Sequence, residues 1–420
     1  MSAEPRILNS QELGDHLTAE APVAIRLIDL DQGEERLQLP PSRTGRPYLL
    51  LLAMLRRASR PLGWTALPVP NDGKVDLSTL RDSFVAGAGD DRDGGGGTPP
   101  PTGSRGLLSI VIATCANPEA TISCVKSILS GVQEPFEVVV VENRPEGSTV
   151  AKALAAAFPG EERVRYVEER RPGLSSARNA GLAAARGELV AFTDDDVHVD
   201  SCWDSAVRAA FVASPETDCV TGLILPRELE TPAQLLDERF ASFGKGFAAR
   251  TYSLDQPPPD QPLFPFTAGY FGSGANMTFR TSAIRDLGGF DRALGTGTFA
   301  RGGEDLDICI RLLHSGRKLT YEPAAMVWHR HPDTIAGVRR QVFGYGVGLG
   351  AMLAKHVVVG PNRWAVVSRS AQGIRYYTDP ESRKNALRGP SFPRRLVRLE
   401  RTGLLLGPFA YLASRVRQGR

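Results

Sequence analysis

Cysteine is scarce in this chain: Cys115, Cys124, Cys202, Cys219 and Cys309 are the only five among 420 residues, and no two form a CxxC pair. Scattered and odd in number, they argue against a disulfide framework or a cysteine zinc site and fit reduced thiols in a cytoplasmic setting. Residues 1 to 25 lack the apolar run of a signal peptide. The apolar stretch Tyr48 to Leu55 falls far short of the ~20 residues that a membrane-spanning helix needs, and no membrane-spanning segment appears elsewhere. No internal repeat is visible. Large net charge is also missing, at +3 overall, but this balance hides an asymmetry. Residues 361–420 hold 13 Arg or Lys against 3 Asp or Glu, a net of +10, which leaves −7 for residues 1–360. The C-terminal arginines match no nucleic-acid motif and lack interleaved aromatics apart from Trp364 and Tyr376-Tyr377, so nucleic acid is not an expected partner.

The composition, 42% hydrophobic and 23% charged, is that of an ordinary globular protein, and the length calls for more than one domain. Residues 87–104 (GAGDDRDGGGGTPPPTGS) read as a flexible linker. Before it, a strand over Val23 to Leu30 and a helix over Pro47 to Arg57 suggest a small α+β module at 1–86. After it, strands and helices alternate. Leu107 to Ala113, Phe136 to Val141, Val164 to Val167 and Leu189 to Thr193 read as strands; Glu119 to Leu129, Val150 to Phe158 and Ser175 to Arg186 read as helices, the last with Ser175 as N-cap and Gly187 past its end. Alternation of this kind predicts right-handed crossovers and a parallel sheet, with ligands at its carboxyl edge. Thr251 to Phe266 reads as an irregular loop covering that edge.

The strand at 189–193 runs into Asp194-Asp195-Asp196. Consecutive carboxylates at a strand's carboxyl end suit a hard cation such as Mg²⁺ or Mn²⁺ that bridges to phosphates. An acidic turn in water is the plain alternative. Its surroundings decide. Ser109 to Thr114, Val141-Glu142-Asn143, Ser176-Ala177-Arg178-Asn179-Ala180-Gly181, the triplet, Gly272 to Met277, Gly303-Glu304-Asp305-Leu306-Asp307 and Trp328-His329 occur in an order that resembles a bacterial, non-processive family 2 glycosyltransferase.

That resemblance covers about residues 105–335 and implies an α/β GT-A fold, a Rossmann-like, mostly parallel sheet, here with the N-terminal module and a basic helical tail at 336–420. It implies a donor that is a nucleotide-diphosphate sugar, a divalent metal held through the Asp-x-Asp pair Asp194 and Asp196 with His329, and inverting transfer to a hydroxyl acceptor. His331 is the fallback ligand. Asp305, with Glu304 as alternative, matches the general base; a helix cap is the simpler role for either. Ala113, Thr114, Glu142, Arg178, Asp194, Asp195, Gly274 and Asn276 fall on donor-binding positions. Glu142-Asn143-Arg144 stands where relatives commonly carry an acidic pair. The Gln-x-x-Arg-Trp motif of processive synthases is missing, since Gln341 is followed by Val342-Phe343-Gly344-Tyr345. A nucleotidyltransferase would want a Gly-rich basic loop after the first strand, and Thr114 to Pro118 has none. A non-catalytic sugar-nucleotide or glycan-binding scaffold would not need the base. Apolar stretches at Val342 to Leu353 and Leu404 to Ala413, set among arginines, fit two readings: a tail packed against the catalytic domain with a solvated arginine face, or one on an anionic membrane surface, at the inner face of the plasma membrane, which would favour a lipid-linked or cell-envelope glycan as acceptor.

Overall fold

The computed structural model describes residues 6–418 other than 19, 87–105, 134, 146, 148, 242–244, 362, 386 and 390, so the linker expected at 87–104 lies outside the described residues. The N-terminal part contains α1 (Ser10–His16), β1 (Ala24–Asp29), β2 (Arg36–Gln38), β3 (Leu50–Arg57), β4 (Arg60–Pro68), β5 (Lys74–Asp76) and α2 (Ser78–Ala86). The helix expected over Pro47 to Arg57 is therefore wrong. That run is the central strand β3, parallel to β1 and antiparallel to β4. Leu51 to Leu55 are buried on both faces, and a continuous apolar run of this length fits a doubly covered strand as well as a helix until its neighbours are known.

The larger part begins with β6 (Leu108–Thr114), α3 (Pro118–Gly131), β7 (Phe136–Asn143), α4 (Thr149–Ala157), β8 (Val164–Glu169), α5 (Leu174–Ala184) and β9 (Leu189–Asp194). It continues through β10 (Val197–Val199), α6 (Trp203–Ala213), β11 (Thr217–Pro226), α7 (Pro232–Ala241), β12 (Arg250–Tyr252), β13 (Met277–Arg280), α8 (Thr281–Asp286), α9 (Glu304–His314) and β14 (Lys318–His329). Helix α5 starts after Gly173 and not at Ser175, whose hydroxyl is buried and donates to the Leu294 carbonyl; the helix ends at Ala184 with Ala185 as its C-cap, two residues before Gly187. The loop expected at Thr251 to Phe266 opens with β12 before its turns begin.

These strands make a nine-stranded sheet in the order β10-β14-β11-β13-β9-β6-β7-β8, with β12 on β14. The run β8-β7-β6-β9 is parallel, β14 and β11 are parallel to each other, and β13 is reversed between β11 and β9. Strand order reverses beside β6, where open α/β sheets leave a crevice at the carboxyl ends. Two apolar layers close the faces. One joins α3 and α6 to the sheet, the other α5 and α9. The N-terminal part packs on the sheet's far side, where Val23, Met54 and Trp64 meet Leu223, Leu225 and Met326, and Arg56 pairs with Asp200 at 2.9 Å.

Three helices follow: α10 (Ile335–Val358), α11 (Arg363–Thr378) and α12 (Arg394–Gln418). Among the described residues none is long and apolar enough to cross a membrane. Helices α10 and α12 meet through glycine. A Cβ on Gly346 would lie 2.1 Å from the Glu400 carbonyl oxygen, one on Gly350 2.2 Å from that of Leu404, and one on Gly407 2.5 Å from the backbone at Ala351. Paired small residues four apart let backbones approach this closely. The alternate glycine on α10, Gly348, abuts Gly302-Gly303 at the start of α9.

Candidate active site

The register sets the site. Ala113 of β6 lies opposite Asp194 of β9, and Thr114 opposite Glu142 of β7, so residues far apart in sequence share one carboxyl edge. The antiparallel pairing of β10 with β14 places Val197 opposite His329, which brings His329 Nε2 within 3.4 Å of Asp196 Oδ1. Asp196 Oδ1 is buried and accepts no hydrogen bond, and burial raises the pKa of that carboxyl. Asp195 is pushed up to about 7 by burial, against a 2.6 Å bond donated by Thr114 Oγ1, with Asp196 and Asp194 adding to the push.

Arg178 on α5 is 1% exposed and holds the centre together. Its guanidinium donates to Asp194 Oδ1 at 2.8 Å, Glu304 Oε1 at 2.9 Å and the Gly274 carbonyl at 3.0 Å. A side chain at 274 would put its Cβ 2.5 Å from this guanidinium, so glycine is required there by contact. Arg178 serves two carboxylates and one carbonyl; burial opposes its charge, and Asp194 and Glu304 override it and raise its pKa. Glu304 is pushed up to about 7 by burial and then by Asp305, with Arg178 only partly offsetting them. Asp305 begins α9 and faces the cleft; its Oδ2 accepts from Gly274 N at 2.9 Å and its Oδ1 from Leu306 N at 2.8 Å. Asp307, two residues on, points elsewhere: it pairs with Arg311 on its own helix and ties α9 to α10 through Lys355 and His356.

A cleft of about 2050 Å³ gathers Arg178, Asp194, Asp196, Gly274, Glu304, Asp305 and His329. Sites for one small ligand usually measure about 300–1,000 Å³, so there is room for a donor and an acceptor together. Glu142 and Asn276 are placed differently. Glu142 is buried and accepts from Tyr166 Oη at 2.6 Å. The Asn276 amide is spent inside the protein: its nitrogen donates to Leu223 O and Ala325 O, and its oxygen accepts from Trp203 Nε1 at 2.9 Å. His331 is buried between Asp237 and Glu238, 2.7 Å from the latter; burial opposes its charge, and these carboxylates override it and raise its pKa.

The acidic edge suits a divalent cation in chemistry. Asp196 and His329 adjoin, and Asp194, 30% exposed, lines the same cleft while its Oδ1 is engaged by Arg178. Among the described residues no three His, Cys, Asp or Glu side chains are drawn close enough to hold a metal as they stand. Sequence reasoning missed Lys245, on the cleft wall, and the buried polar pair Asp237 and Glu238 on α7. Charged residues at core-facing helical spacing in 232–241 were the available signal.

Residues 109–288 match the family model described as glycosyl transferase family 2. A pre-mycofactocin glycosyltransferase of Mycobacterium tuberculosis is 32% identical over 190 residues, 44% of this chain and 36% of that relative, so the chain spans about a third of its length. A poly-beta-1,6-N-acetyl-D-glucosamine synthase of Staphylococcus epidermidis is 25% identical over 241 residues, covering 56% of this chain and 52% of the relative. Among solved structures, a mannosyltransferase from Pyrobaculum calidifontis in complex with GDP-Man and Mn2+ has 18% identity and a TM-score of 0.44 over 76% of this chain and 88% of that one. The ordered motifs along the sheet edge and the match over 109–288 make this part of the chain similar to glycosyltransferase family 2.

Proposed function

We propose that this chain transfers a single sugar, with inversion, from a nucleotide-diphosphate sugar to a hydroxyl acceptor. The observation that supports this most is one cleft with the Asp194 to Asp196 edge and Asp305 both on its walls. Asp194, Asp196 and His329 would hold Mn²⁺ or Mg²⁺, which neutralises charge on the departing diphosphate. Ala113 and Thr114 bound the nucleotide end of the edge. Arg178 fixes Asp194 and Glu304, and Gly274 lets it do so. Asp305 accepts the acceptor's proton as its oxygen attacks the anomeric carbon from the face opposite the diphosphate. Glu304, held near neutral by burial, is the weaker candidate for that base.

We read residues 105–335 as the catalytic unit, 1–86 as a module packed behind the sheet, and 336–420 as a surface for an anionic membrane that brings a lipid-linked or cell-envelope acceptor. Large apolar side chains stand exposed on α11 and α12, Trp364 at 76%, Leu405 at 74% and Phe409 at 71%, with arginines around them. A thermal-shift screen of UDP-, GDP-, dTDP- and CMP-sugars with and without Mn²⁺ or Mg²⁺ tests the donor site. A metal-dependent rise with one nucleotide, abolished by Asp194→Asn, is the expected result; no rise with any would overturn the reading in favour of a non-catalytic scaffold.

A further inference from the structure

Lys245 follows α7 on the wall of the cleft, and its Nζ is sealed from bulk water with no hydrogen-bond partner among the described residues. A buried ammonium without a counter-ion is costly, because its desolvation is not repaid. The groups that act on its charge are both on α9, the buried Cys309 and then Asp305. Asp305 accepts from Gly274 N and Leu306 N, and neither of its oxygens is hydrogen-bonded to Lys245 Nζ. Burial lowers this lysine to about 8, which leaves it mostly charged at neutral pH. The three C-terminal helices add Val358, Ile374 and Leu405 to the lining of the same cleft, together with Arg369 and Arg401.

We infer that Lys245 is an anion seat on the acceptor side of the cleft, so that the acceptor carries a phosphate or carboxylate close to the hydroxyl that takes the sugar. This rests on the proposed transfer reaction, with Asp305 marking the acceptor side. The ammonium supplies up to three donors to one anionic group and orients the neighbouring hydroxyl toward Asp305. A neutral acceptor would leave that charge buried and unpaired, so the seat selects against it.

The test titrates the full chain with dodecyl phosphate, dodecanoate and dodecyl maltoside, each below its micelle concentration, by calorimetry. Lys245→Met is expected to weaken an alkyl anion by roughly 10- to 100-fold, the scale of a lost charge-assisted hydrogen bond, with dodecyl maltoside unchanged and Lys245→Arg restoring binding. Loss for dodecyl phosphate alone assigns a phosphate; loss for dodecanoate alone assigns a carboxylate. Equal binding of the anions by wild type and Lys245→Met, or parallel loss of the neutral probe, overturns the seat. The same samples are titrated with nucleoside diphosphates. Loss of nucleotide binding in Lys245→Met moves the lysine to the donor and overturns the inference while the transfer reading stands; no nucleotide binding by the wild type defeats that reading separately.

Discussion

The carboxyl edge of the sheet and the C-terminal helices are built by opposite means. At the edge, buried charges hold one another: Arg178 is shared between Asp194 and Glu304, and Asp196 adjoins His329. In the tail, α10 and α12 approach through Gly346, Gly350, Gly403 and Gly407, while α11 buries no residue at all. At the edge, burial and neighbouring carboxylates raise the pKa values of Asp195, Asp196 and Glu304. The tail instead joins α10 to α12 by backbone contact and leaves Trp364, Leu405 and Phe409 outside. The difference suits the two proposed roles: chemistry needs preorganised charge, whereas a surface that meets an amphiphile needs exposed apolar area.

The sharpest way to break the edge is Asp305→Asn. Transfer is expected to fall by ~10²–10⁴-fold, the usual contribution of a general base, with nucleotide binding intact in a thermal-shift assay. A fall below tenfold would remove Asp305 from that role. Arg178→Met should cost about 3–5 kcal/mol in urea unfolding, because it strands two carboxylates in the interior. Against it stands Gly350→Val in the tail, where the new side chain meets the Leu404 carbonyl. Overpacking of this kind costs about 1–3 kcal/mol, and proteolysis should then release α12 while nucleotide binding persists. If nucleotide binding is lost as well, the two regions are one cooperative unit.

A subtler probe is pH. Glu304 holds its proton more tightly folded than unfolded, its pKa rising from 4.5 to about 7. Its favourable contribution is complete below the unfolded value and lost as pH rises through the folded one, so Glu304→Gln should flatten the decline in stability between about pH 5 and about pH 8. Urea midpoints across that range measure it. The smallest stability effect belongs to the exposed face: Trp364→Ser with Phe409→Ser should change stability by no more than about 0.5 kcal/mol per site yet reduce sedimentation with anionic vesicles. Unchanged vesicle binding would take the membrane away from the tail.

Much of the edge was legible in the sequence because its determinants are local. Strand β9 runs straight into its aspartates, and Glu304-Asp305 opens a helix whose apolar residues recur at 3.6-residue spacing. The run Leu50 to Arg57 was misread because a short apolar segment states that it is buried without saying in which secondary structure. Asn276 sits in a recognisable motif, but its amide is consumed by Leu223, Ala325 and Trp203, partners that no spacing rule connects.

By itself the sequence determined the α/β alternation, the acidic edge and the basic apolar tail, all of which follow from periodicity and from residue type along the chain. Tertiary structure alone decided that Arg178 clamps Asp194 to Glu304, that His329 and not His331 adjoins Asp196, that alternate glycines of α10 face α12 and the start of α9, and that Lys245 stands on the wall shared with Asp305. The physical reason is range: periodicity is a property of neighbours on the chain, whereas ion pairing, backbone approach and desolvation depend on which distant segments the fold brings within a few ångströms.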